Sequence, residues 1–374
     1  MTDKETFIVL HGARKNVGDF LIKERSIQLI SSIRPDRSLI EFPHWQSLDN
    51  ELGTINKSKA LIIMGSPGIQ QNAYPEVFKL TSNLDDIKVP IVLLGVGAYM
   101  LPFNERSITT FKFSSKTIQF FRKCTFFSVR DLFTKRLLEL NGFNNAEMLG
   151  CPAWYHMEYL NKPSTLPQQI NKIVFSFPQR KFFYSQFLSV LDIVIRRFPS
   201  AKILVTFNRG FSKDNLTTED AGALLRCKKE VEKRNVIIDD FAYSVDKFKT
   251  LEEFDIHIGY RLHTHIFFCS VRKPSYIIAE DSRSWGNYQT LSLPGFPGII
   301  EQAFSTILPY MKNGNFKNAV FKILPVVKPD MKLAEKIIER IDYDIATGFA
   351  AFEGLDKKID NNFILTRKFI ERIP

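Results

Sequence analysis

The sequence predicts an α/β protein made of two Rossmann-like domains that face a cleft, followed by C-terminal helices. Short apolar runs typical of strands alternate with helical periodicity through the first 160 residues, as in parallel sheets covered by helices. A polar, proline-rich stretch at 161–170 interrupts the pattern, which then restarts. These observations predict domains at 1–160 and 171–325, a linker at 161–170 and C-terminal helices at 326–374.

Five strands are predicted in each domain from these apolar runs. They are Phe7–Leu10, Ser38–Phe42, Ala60–Met64, Val89–Leu94 and Thr125–Val129, then Ile173–Phe177, Lys202–Thr206, Val236–Asp239, Asp255–Ile258 and Ser275–Ala279. Helices are predicted at Phe182–Arg197, Thr218–Arg234, Val245–Phe254, His263–Arg272, Met331–Tyr343 and Leu355–Ile373, with one more between Gly97 and about Lys123. Val89–Leu94 is apolar throughout, which is expected of a strand covered by helices on both faces.

Length and composition bound the class of protein. The chain has 374 residues, 44% of them apolar, which is enough for two cores of ordinary size. It has no run of eighteen apolar residues and no charged-then-apolar leader, so a cytoplasmic protein without a membrane span is expected. Its four cysteines are widely spaced without a Cys-x-x-Cys pair, which predicts buried thiols rather than zinc, an iron–sulfur cluster or disulfides.

The net charge indicates an anionic partner. A formal charge of +11 and a pI near 9.3 suit nucleic acid, phosphorylated small molecules or an anionic membrane surface. Nucleic acid ranks last, because lysines and arginines are spread along the chain and no nucleic-acid motif is present.

The stretch from Ile256 to Trp285 carries most of the residues suited to binding and catalysis. An apolar strand leads into Tyr260-Arg261-Leu262-His263, which starts a helix, and the next strand ends just before Asp281. Strands joined in this way are parallel, so their ends meet at one edge of the sheet, where α/β proteins bind ligands. The free N–H groups of the helix start, with an arginine beside them, suit a phosphate or carboxylate. The residues expected to face the cleft are Arg261, His263, Asp281 and Arg283.

A structural alternative exists for the histidines. His263 and His265 are two positions apart, so on a helix they point about 200° away from each other and only one faces the cleft. His257 lies inside a strand and is expected to be packed. Surface arginines are common, but Arg180 and Arg209 each follow a strand of the second domain, which predicts that they share one sheet edge with the Arg-Leu-His segment.

Residues of the first domain offer a second binding surface. Asp19, at the start of the first helix, is expected either to cap that helix or, with Asn16, to hold hydroxyl groups of a ligand in the cleft. The turn Gly95-Val96-Gly97 lacks the third glycine of a dinucleotide-binding fingerprint, so it predicts close approach of the backbone to a ligand or to the other domain. Asp342 and Asp344 are expected to face solvent, and no metal site is predicted.

Taken together, these segments resemble the polysaccharide pyruvyl transferase family. The matching segments are NVGD after the first strand, VPIVLLGVGAYM, FFSVRD with LLELNGF, and IGYRLHTHIFFCSVRKPSYIIAEDSR. The resemblance runs through most of the chain and implies a fold similar to glycosyltransferases of the B type. It also implies transfer of a pyruvyl group from phosphoenolpyruvate, a co-substrate, to two hydroxyls of a sugar as a ketal, with no other cofactor.

The resemblance assigns roles to the Arg-Leu-His segment, and the positions of the other residues at the cleft assign theirs. The family's Arg-Leu-His triplet, its catalytic and phosphoenolpyruvate-contacting segment, matches Arg261, Leu262 and His263, so Arg261 and His263 are the expected catalytic residues. His263 is the expected proton donor because histidine titrates near neutral pH, and the alternative is that it only hydrogen-bonds the leaving phosphate. Expected donor-binding residues are Arg261, Leu262, Arg180, Arg209, Asp281 and Arg283, and expected acceptor-binding residues are Asn16 and Asp19. Cys151-Pro152 and Glu280-Asp281-Ser282-Arg283 depart from the commonest family patterns, and the second is similar to a variant with Asp-Ser-Arg or Asp-Thr-Arg.

Three classes of function fit these observations. The first is a pyruvyl transferase that uses phosphoenolpyruvate and a lipid-linked or nucleotide-linked glycan. The others are a glycosyltransferase on the same fold with an activated sugar donor and a non-catalytic carbohydrate-binding relative. The excess positive charge also predicts peripheral contact with an anionic membrane at its inner face.

Overall fold

The computed structural model describes residues 4–211, 221–301 and 327–374. Within these ranges it contains two separate six-stranded parallel sheets and a two-stranded antiparallel pair. The two parallel sheets confirm the predicted α/β fold with two Rossmann-like halves. Two predicted regions lie outside the described residues, namely the helix start at 218–220 and residues 302–325 at the end of the predicted second domain. The exact domain boundaries stay a prediction.

The first sheet is formed by residues 5–148. Its strands lie in the order β2-β1-β3-β4-β5-β6. Their bounds are β1 (Glu5–His11), β2 (Arg37–Pro43), β3 (Ala60–Met64), β4 (Ile91–Val96), β5 (Cys124–Val129) and β6 (Glu147–Met148). Every residue of β3 and β4 is buried, because helices cover both faces of the sheet centre.

The second sheet is formed by residues 172–297. Its strands lie in the order β12-β11-β10-β7-β8-β9. Their bounds are β7 (Lys172–Ser176), β8 (Lys202–Phe207), β9 (Ile237–Asp240), β10 (Ile256–Gly259), β11 (Ser275–Ala279) and β12 (Gly295–Pro297), and the antiparallel pair is β13 (Ile299–Glu301) with β14 (Val327–Pro329). The strands β7 and β10 are central neighbours, which brings the loops after them together.

Helices connect the strands and cover both sheets. Their bounds are α1 (Val17–Ile33), α2 (Leu52–Lys57), α3 (Glu105–Thr110), α4 (Ser115–Lys123), α5 (Leu132–Glu139), α6 (Tyr184–Arg197), α7 (Ala221–Glu232), α8 (Lys247–Thr250), α9 (Leu262–Ser270), α10 (Ser282–Leu291), α11 (Leu333–Ala346) and α12 (Leu355–Glu371). In the described part of the chain, none of the helices is long and apolar enough to cross a membrane.

Two predicted helices differ from the structure, and one helix near the site was not predicted. The single helix predicted before Lys123 is two helices, α3 and α4, and the helix predicted at Val245–Phe254 is the one-turn α8 followed by a 3₁₀ turn. Helix α10 was not predicted, because its sequence is polar and contains Gly286. This glycine is needed there, since a Cβ at Gly286 would lie 2.7 Å from Oδ1 of Asp131 on the first half of the molecule.

The C-terminal helix α12 returns to the first sheet. Thr366 Oγ1 lies 2.9 Å from the Tyr155 hydroxyl, and the rings of Phe369 and Phe126 have centroids 6.0 Å apart. The chain therefore crosses from the second half back to the first. As predicted, Cys124, Cys151, Cys227 and Cys269 are buried and free.

Candidate active site between the two sheets

Arg261 links the two halves of the molecule. It follows β10 at the N-cap position of α9, where its side chain makes no capping bond, and its backbone N–H donates to Ser176 Oγ on β7 at 2.9 Å. Its Nη2 donates to Asn16 Oδ1 at the start of α1 at 2.9 Å, and its Nη1 donates to Gln179 Oε1 at 3.3 Å. Burial lowers the pKa of Arg261 to about 10, so the guanidinium stays charged at neutral pH.

His263 lies in the first turn of α9, and its imidazole is neutral. Its side chain is buried, and its Nε2 has no hydrogen-bond partner. Burial lowers the pKa of His263 well below 6.5, and the charges of Arg130, Arg283 and Arg261 lower it further. The unperturbed pKa assumed in the sequence analysis is therefore wrong for this protein. His263 can donate a proton only after an anion has raised its pKa.

The other two histidines of the segment are structural. His265 points away from the cleft, where its Nδ1 lies 2.7 Å from Ser275 Oγ. His257 is fully buried in β10 between Ser176 and Ser275, with nitrogen to oxygen distances of 2.8 and 2.7 Å. These positions confirm that of the neighbouring pair only His263 faces the cleft.

Asp281, which follows β11, holds Arg283 in place. Asp281 caps α10, and its carboxylate accepts hydrogen bonds from Arg283 Nε at 2.9 Å and Nη2 at 2.7 Å. Burial alone would lower the pKa of Arg283, but the Asp281 charge raises it above its ordinary value. Asp281 thus orients the arginine inside the second half of the site.

Tyr99 is a residue that the sequence analysis missed. It stands in the turn after β4 and lies under two arginines of the other half, with the Arg283 guanidinium 5.2 Å and the Arg180 guanidinium 5.6 Å from its ring centroid. Arg180 also donates a hydrogen bond to the Tyr99 hydroxyl. The adjoining residues Met100 and Ser282 exchange hydrogen bonds of 3.0 and 2.9 Å. The turn therefore approaches the other half through Tyr99 and Met100. Its glycines do not make this contact, because added Cβ atoms at Gly95 and Gly97 would meet Pro152 and Arg130 of the first half.

Glu280 is a second residue that was not singled out as part of the site. It is 3% exposed, and its carboxylate accepts the backbone N–H groups of Gln179 at 3.0 Å and Arg180 at 3.2 Å. Burial raises the pKa of Glu280 to about 7, although the charge of Arg261 opposes that rise. The signal in the sequence is a carboxyl group placed directly after the apolar run Tyr276–Ala279.

The start of α1 corrects one expectation about Asp19. Asn16 occupies the cap position but makes no capping bond through its side chain, which instead accepts from Arg261. Asp19 lies inside the first turn rather than at its cap, so the capping alternative is wrong. Burial raises the pKa of Asp19, while Asn16, Arg283, Arg209 and Arg261 oppose the shift.

Three adjoining cavities lie between the sheets. One of about 440 Å³ is lined by cationic and aromatic side chains of the second half, including Arg180, Arg209 and Arg261. One of about 320 Å³ lies on the first half and is lined by Asn16, Asp19, Arg209 and Arg283 among others. A small one of about 20 Å³ joins them and is lined by Arg261, Leu262, His263, Glu280, Asp281 and Arg283 among others. All nine predicted site residues therefore converge on one cleft.

The aspartates near the C terminus lie elsewhere. Asp342 pairs with Arg197 at 2.8 Å. Asp344 is fully buried and accepts hydrogen bonds from the Tyr276 hydroxyl and from Arg340 Nε, both at 2.9 Å. The expectation that both face solvent is wrong for Asp344, whose carboxylate ties α11 to β11. Among the described residues, no group of three or more His, Cys, Asp or Glu side chains is arranged to hold a metal ion.

Solved structures of other proteins share the two-domain fold. A Listeria monocytogenes protein assigned as a UDP-N-acetylglucosamine 2-epimerase has a TM-score of 0.56 at 8% identity, over 96% of this chain and 94% of that one. The UDP-GlcNAc 2-epimerase of Neisseria meningitidis, bound to UDP-GlcNAc, has a TM-score of 0.52 at 9% identity, over 97% and 99%. At such low identity the likeness shows the two-domain fold of B-type glycosyltransferases and nothing more.

The amino-acid sequence identifies the family to which the protein belongs. The family model of polysaccharide pyruvyl transferases matches residues 16–282, which is most of the chain. The protein belongs to the polysaccharide pyruvyl transferase family and is a transferase of polysaccharide biosynthesis. The match extends from Asn16 to Ser282 and thus includes the Arg-Leu-His segment and the start of α1. No curated protein matches the chain in sequence.

Proposed function

We propose that the protein transfers the pyruvyl group of phosphoenolpyruvate to two hydroxyls of a sugar, as a cyclic ketal. The observation that carries this proposal is the Arg261–His263 segment, buried where the second sheet meets Asn16 of the first. Phosphoenolpyruvate carries a phosphate and a carboxylate, which suit the guanidinium groups around the cleft. Donor binding is assigned to Arg261 and Leu262, with Arg180, Arg209 and Arg283, the last oriented by Asp281.

The reaction needs balanced proton transfers. The methylene carbon of phosphoenolpyruvate gains a proton while one sugar hydroxyl attacks the neighbouring carbon. Phosphate then leaves, and the second hydroxyl closes the ring. Of the two hydroxyl protons, one balances the proton gained by the methylene carbon and the other leaves with phosphate. His263 is the proposed proton donor, and the anionic donor that must raise its pKa is the substrate itself.

The acceptor is assigned to the cavity on the first half. Asn16 and Asp19 line it together with Ser66 and Gln70, so hydroxyl-binding amide and carboxylate groups face the arginines across the cleft. We infer that the acceptor is a lipid-linked or nucleotide-linked precursor of a cell-surface polysaccharide. In this proposal the enzyme works in the cytoplasm, in peripheral contact with the inner face of the membrane.

One observation favours a second candidate, a glycosyltransferase with a nucleotide-sugar donor. The larger cavity includes Phe177 and Phe207, whose rings are stacked at 4.3 Å, beside cationic side chains. Such a lining also suits the base and phosphates of a nucleotide. A non-catalytic relative would bind saccharide without turnover of either donor.

Calorimetry separates the two donors. The pyruvyl transferase predicts binding of phosphoenolpyruvate that weakens strongly in Arg261→Lys, whereas His263→Ala should cost turnover far more than donor binding. Binding of UDP or UDP-GlcNAc, with no heat from phosphoenolpyruvate, would favour the glycosyltransferase. Binding of a saccharide alone would favour the non-catalytic relative.

A further inference from the structure

Helix α12 has one face that is firmly held. Ile359, Phe363, Phe369 and Ile370 are buried on it. Asp360, near its start, pairs with the buried Arg272 at 2.6 Å. These contacts fix the helix on the body of the protein, so substitutions on its outer face leave its position unchanged.

The outer face combines apolar and cationic side chains. Ile364 and Leu365 are 52% and 49% exposed, and in the described part of the chain they are the one consecutive pair among the exposed large apolar residues. Lys357 and Lys368 lie seven residues before and four after Ile364, which places all three on one stripe of the helix. Arg372 follows Leu365 by seven residues on the same side.

The cations of this stripe are available to a partner. Within the described ranges, the side chains of Lys357 and Lys368 form neither a hydrogen bond nor an ion pair. Arg372 pairs with Glu147 at the surface, a contact that water and salt screen strongly. Glu371 is the one acidic residue among the exposed positions of the helix.

The residue types favour a lipid surface over a protein. Two half-exposed aliphatic side chains are far too little apolar area for a stable protein interface, and lysine is depleted in such interfaces. In contrast, a helix that lies in the plane of a membrane presents apolar side chains flanked by lysine and arginine, whose alkyl stems extend along the apolar region. The overall charge of +11 has the same sign as this stripe.

We propose that the outer face of α12, with Ile364 and Leu365 at its centre and Lys357, Lys368 and Arg372 around them, docks on an anionic lipid bilayer. The two aliphatic side chains enter the interface, and the cations contact the headgroups. The inference rests on the proposed function only for its purpose, which is to bring the cleft to a lipid-linked acceptor. Its physical basis lies in α12 alone.

Co-sedimentation with vesicles tests this docking. Vesicles of phosphatidylglycerol and phosphatidylcholine are compared with vesicles of phosphatidylcholine alone, at low and high salt. The wild type should bind the anionic vesicles at low salt, should bind them much more weakly at high salt, and should not bind the neutral vesicles. The variant Ile364→Ser/Leu365→Ser should bind about tenfold more weakly or worse, and Lys357→Gln/Lys368→Gln should lose about fivefold per lysine.

A matched control uses two other exposed leucines. Leu132, the first residue of α5, and Leu140, directly after α5, are 50% and 43% exposed, so Leu132→Ser/Leu140→Ser removes similar apolar area without touching α12. This control should bind vesicles like the wild type. The proposal is overturned if the control weakens as much as the α12 variant, or if the wild type fails to bind anionic vesicles. A wild-type dimer that Ile364→Ser/Leu365→Ser converts to a monomer would overturn it too. Phosphoenolpyruvate binding, measured without vesicles, tests the proposed function separately.

Discussion

At the residue scale, two titratable groups around one small cavity are shifted in opposite directions. His263 is neutral because it is buried among arginines, whereas the pKa of Glu280 is raised to about 7 by burial. Active sites commonly obtain an acid and a base at neutral pH by such opposed environments. An anion that enters between His263 and Glu280 should therefore change the pKa of both groups.

Donor binding should be accompanied by proton uptake. Phosphoenolpyruvate brings negative charge to the neutral imidazole of His263 and raises its pKa, so the complex holds more protons than the free protein at pH 7. Calorimetry in buffers of different ionisation enthalpy measures this uptake. His263→Gln should remove most of it, while Glu280→Gln should remove a smaller part. Equal uptake in His263→Gln and the wild type would contradict the proposed role.

Arg261→Lys should weaken donor binding although it keeps the charge. The guanidinium reaches Asn16 and Gln179 through two separate N–H groups, and an ammonium cannot reproduce that planar fork. The dissociation constant for phosphoenolpyruvate should rise about tenfold or more, since charge-assisted hydrogen bonds contribute roughly 1.5–3 kcal/mol each. The exposed Arg122→Lys on α4 is the control. Unchanged affinity in the Arg261 variant would remove this residue from the donor site.

At the scale of elements, the first turn of α1 positions the segment Arg261–His263. A Cβ at Gly18 would lie 2.2 Å from Nδ1 of His263, so only glycine allows α1 to approach α9 this closely. The backbone N–H of Val17 also donates to the Asn208 carbonyl after β8 at 3.0 Å. The first helix of one half therefore closes the site of the other.

Gly18→Ala should damage the site without unfolding the protein. The added methyl must displace the His263 ring or α1, at a typical overpacking cost of about 1–3 kcal/mol. Thermal unfolding and phosphoenolpyruvate calorimetry should both show the loss. Gly53→Ala on α2, where a Cβ would meet nothing within 4 Å, should leave both unchanged. Donor affinity in Gly18→Ala equal to that of Gly53→Ala would show that this approach does not position His263.

Sequence periodicity predicts the elements whose pattern is local. All ten predicted strands are present. The central strands β3 and β4 are buried and apolar along their whole length, whereas the edge strands β2 and β9 are only partly buried. The polar helix α10 and the two-residue β6 are not predictable in this way, because contacts across the molecule stabilise them. Similarly, strand ends predict that Arg180, Arg209, Arg261 and Arg283 converge. The roles of the other two residues depend on contacts that the sequence alone does not specify. For Tyr99 this is the loop of the other half that lies opposite it, and for Glu280 it is the backbone N–H groups that its carboxylate accepts from.

At the scale of the whole molecule, buried histidines make stability depend on pH. His44, His156, His257, His263 and His265 are buried with pKa values below 6.5, chiefly because of desolvation. The unfolded chain binds protons at these sites first, so the free energy of unfolding should fall as pH drops below about 6.5. Glu280 acts oppositely between its ordinary 4.5 and about 7, and offsets part of one histidine's effect.

Urea denaturation at pH 7, 6 and 5 measures this dependence. Each buried histidine should contribute up to about 1.4 kcal/mol per pH unit below 6.5. His156 has a pKa of about 3 and an unpartnered Nδ1, so His156→Gln should flatten the slope. Stability that is constant or rises on acidification would contradict the burial of these neutral rings.

Formation of a pyruvyl ketal is the direct test of the proposed reaction. The protein is incubated with phosphoenolpyruvate and a set of diphosphate-linked glycans, and each glycan is then analysed by mass spectrometry while released phosphate is measured. A pyruvyl transferase should give a product heavier by pyruvate less one water, with one phosphate released per ketal, and neither product should form with His263→Ala. Intact phosphoenolpyruvate together with transfer of a sugar from a nucleotide donor would contradict the proposed reaction.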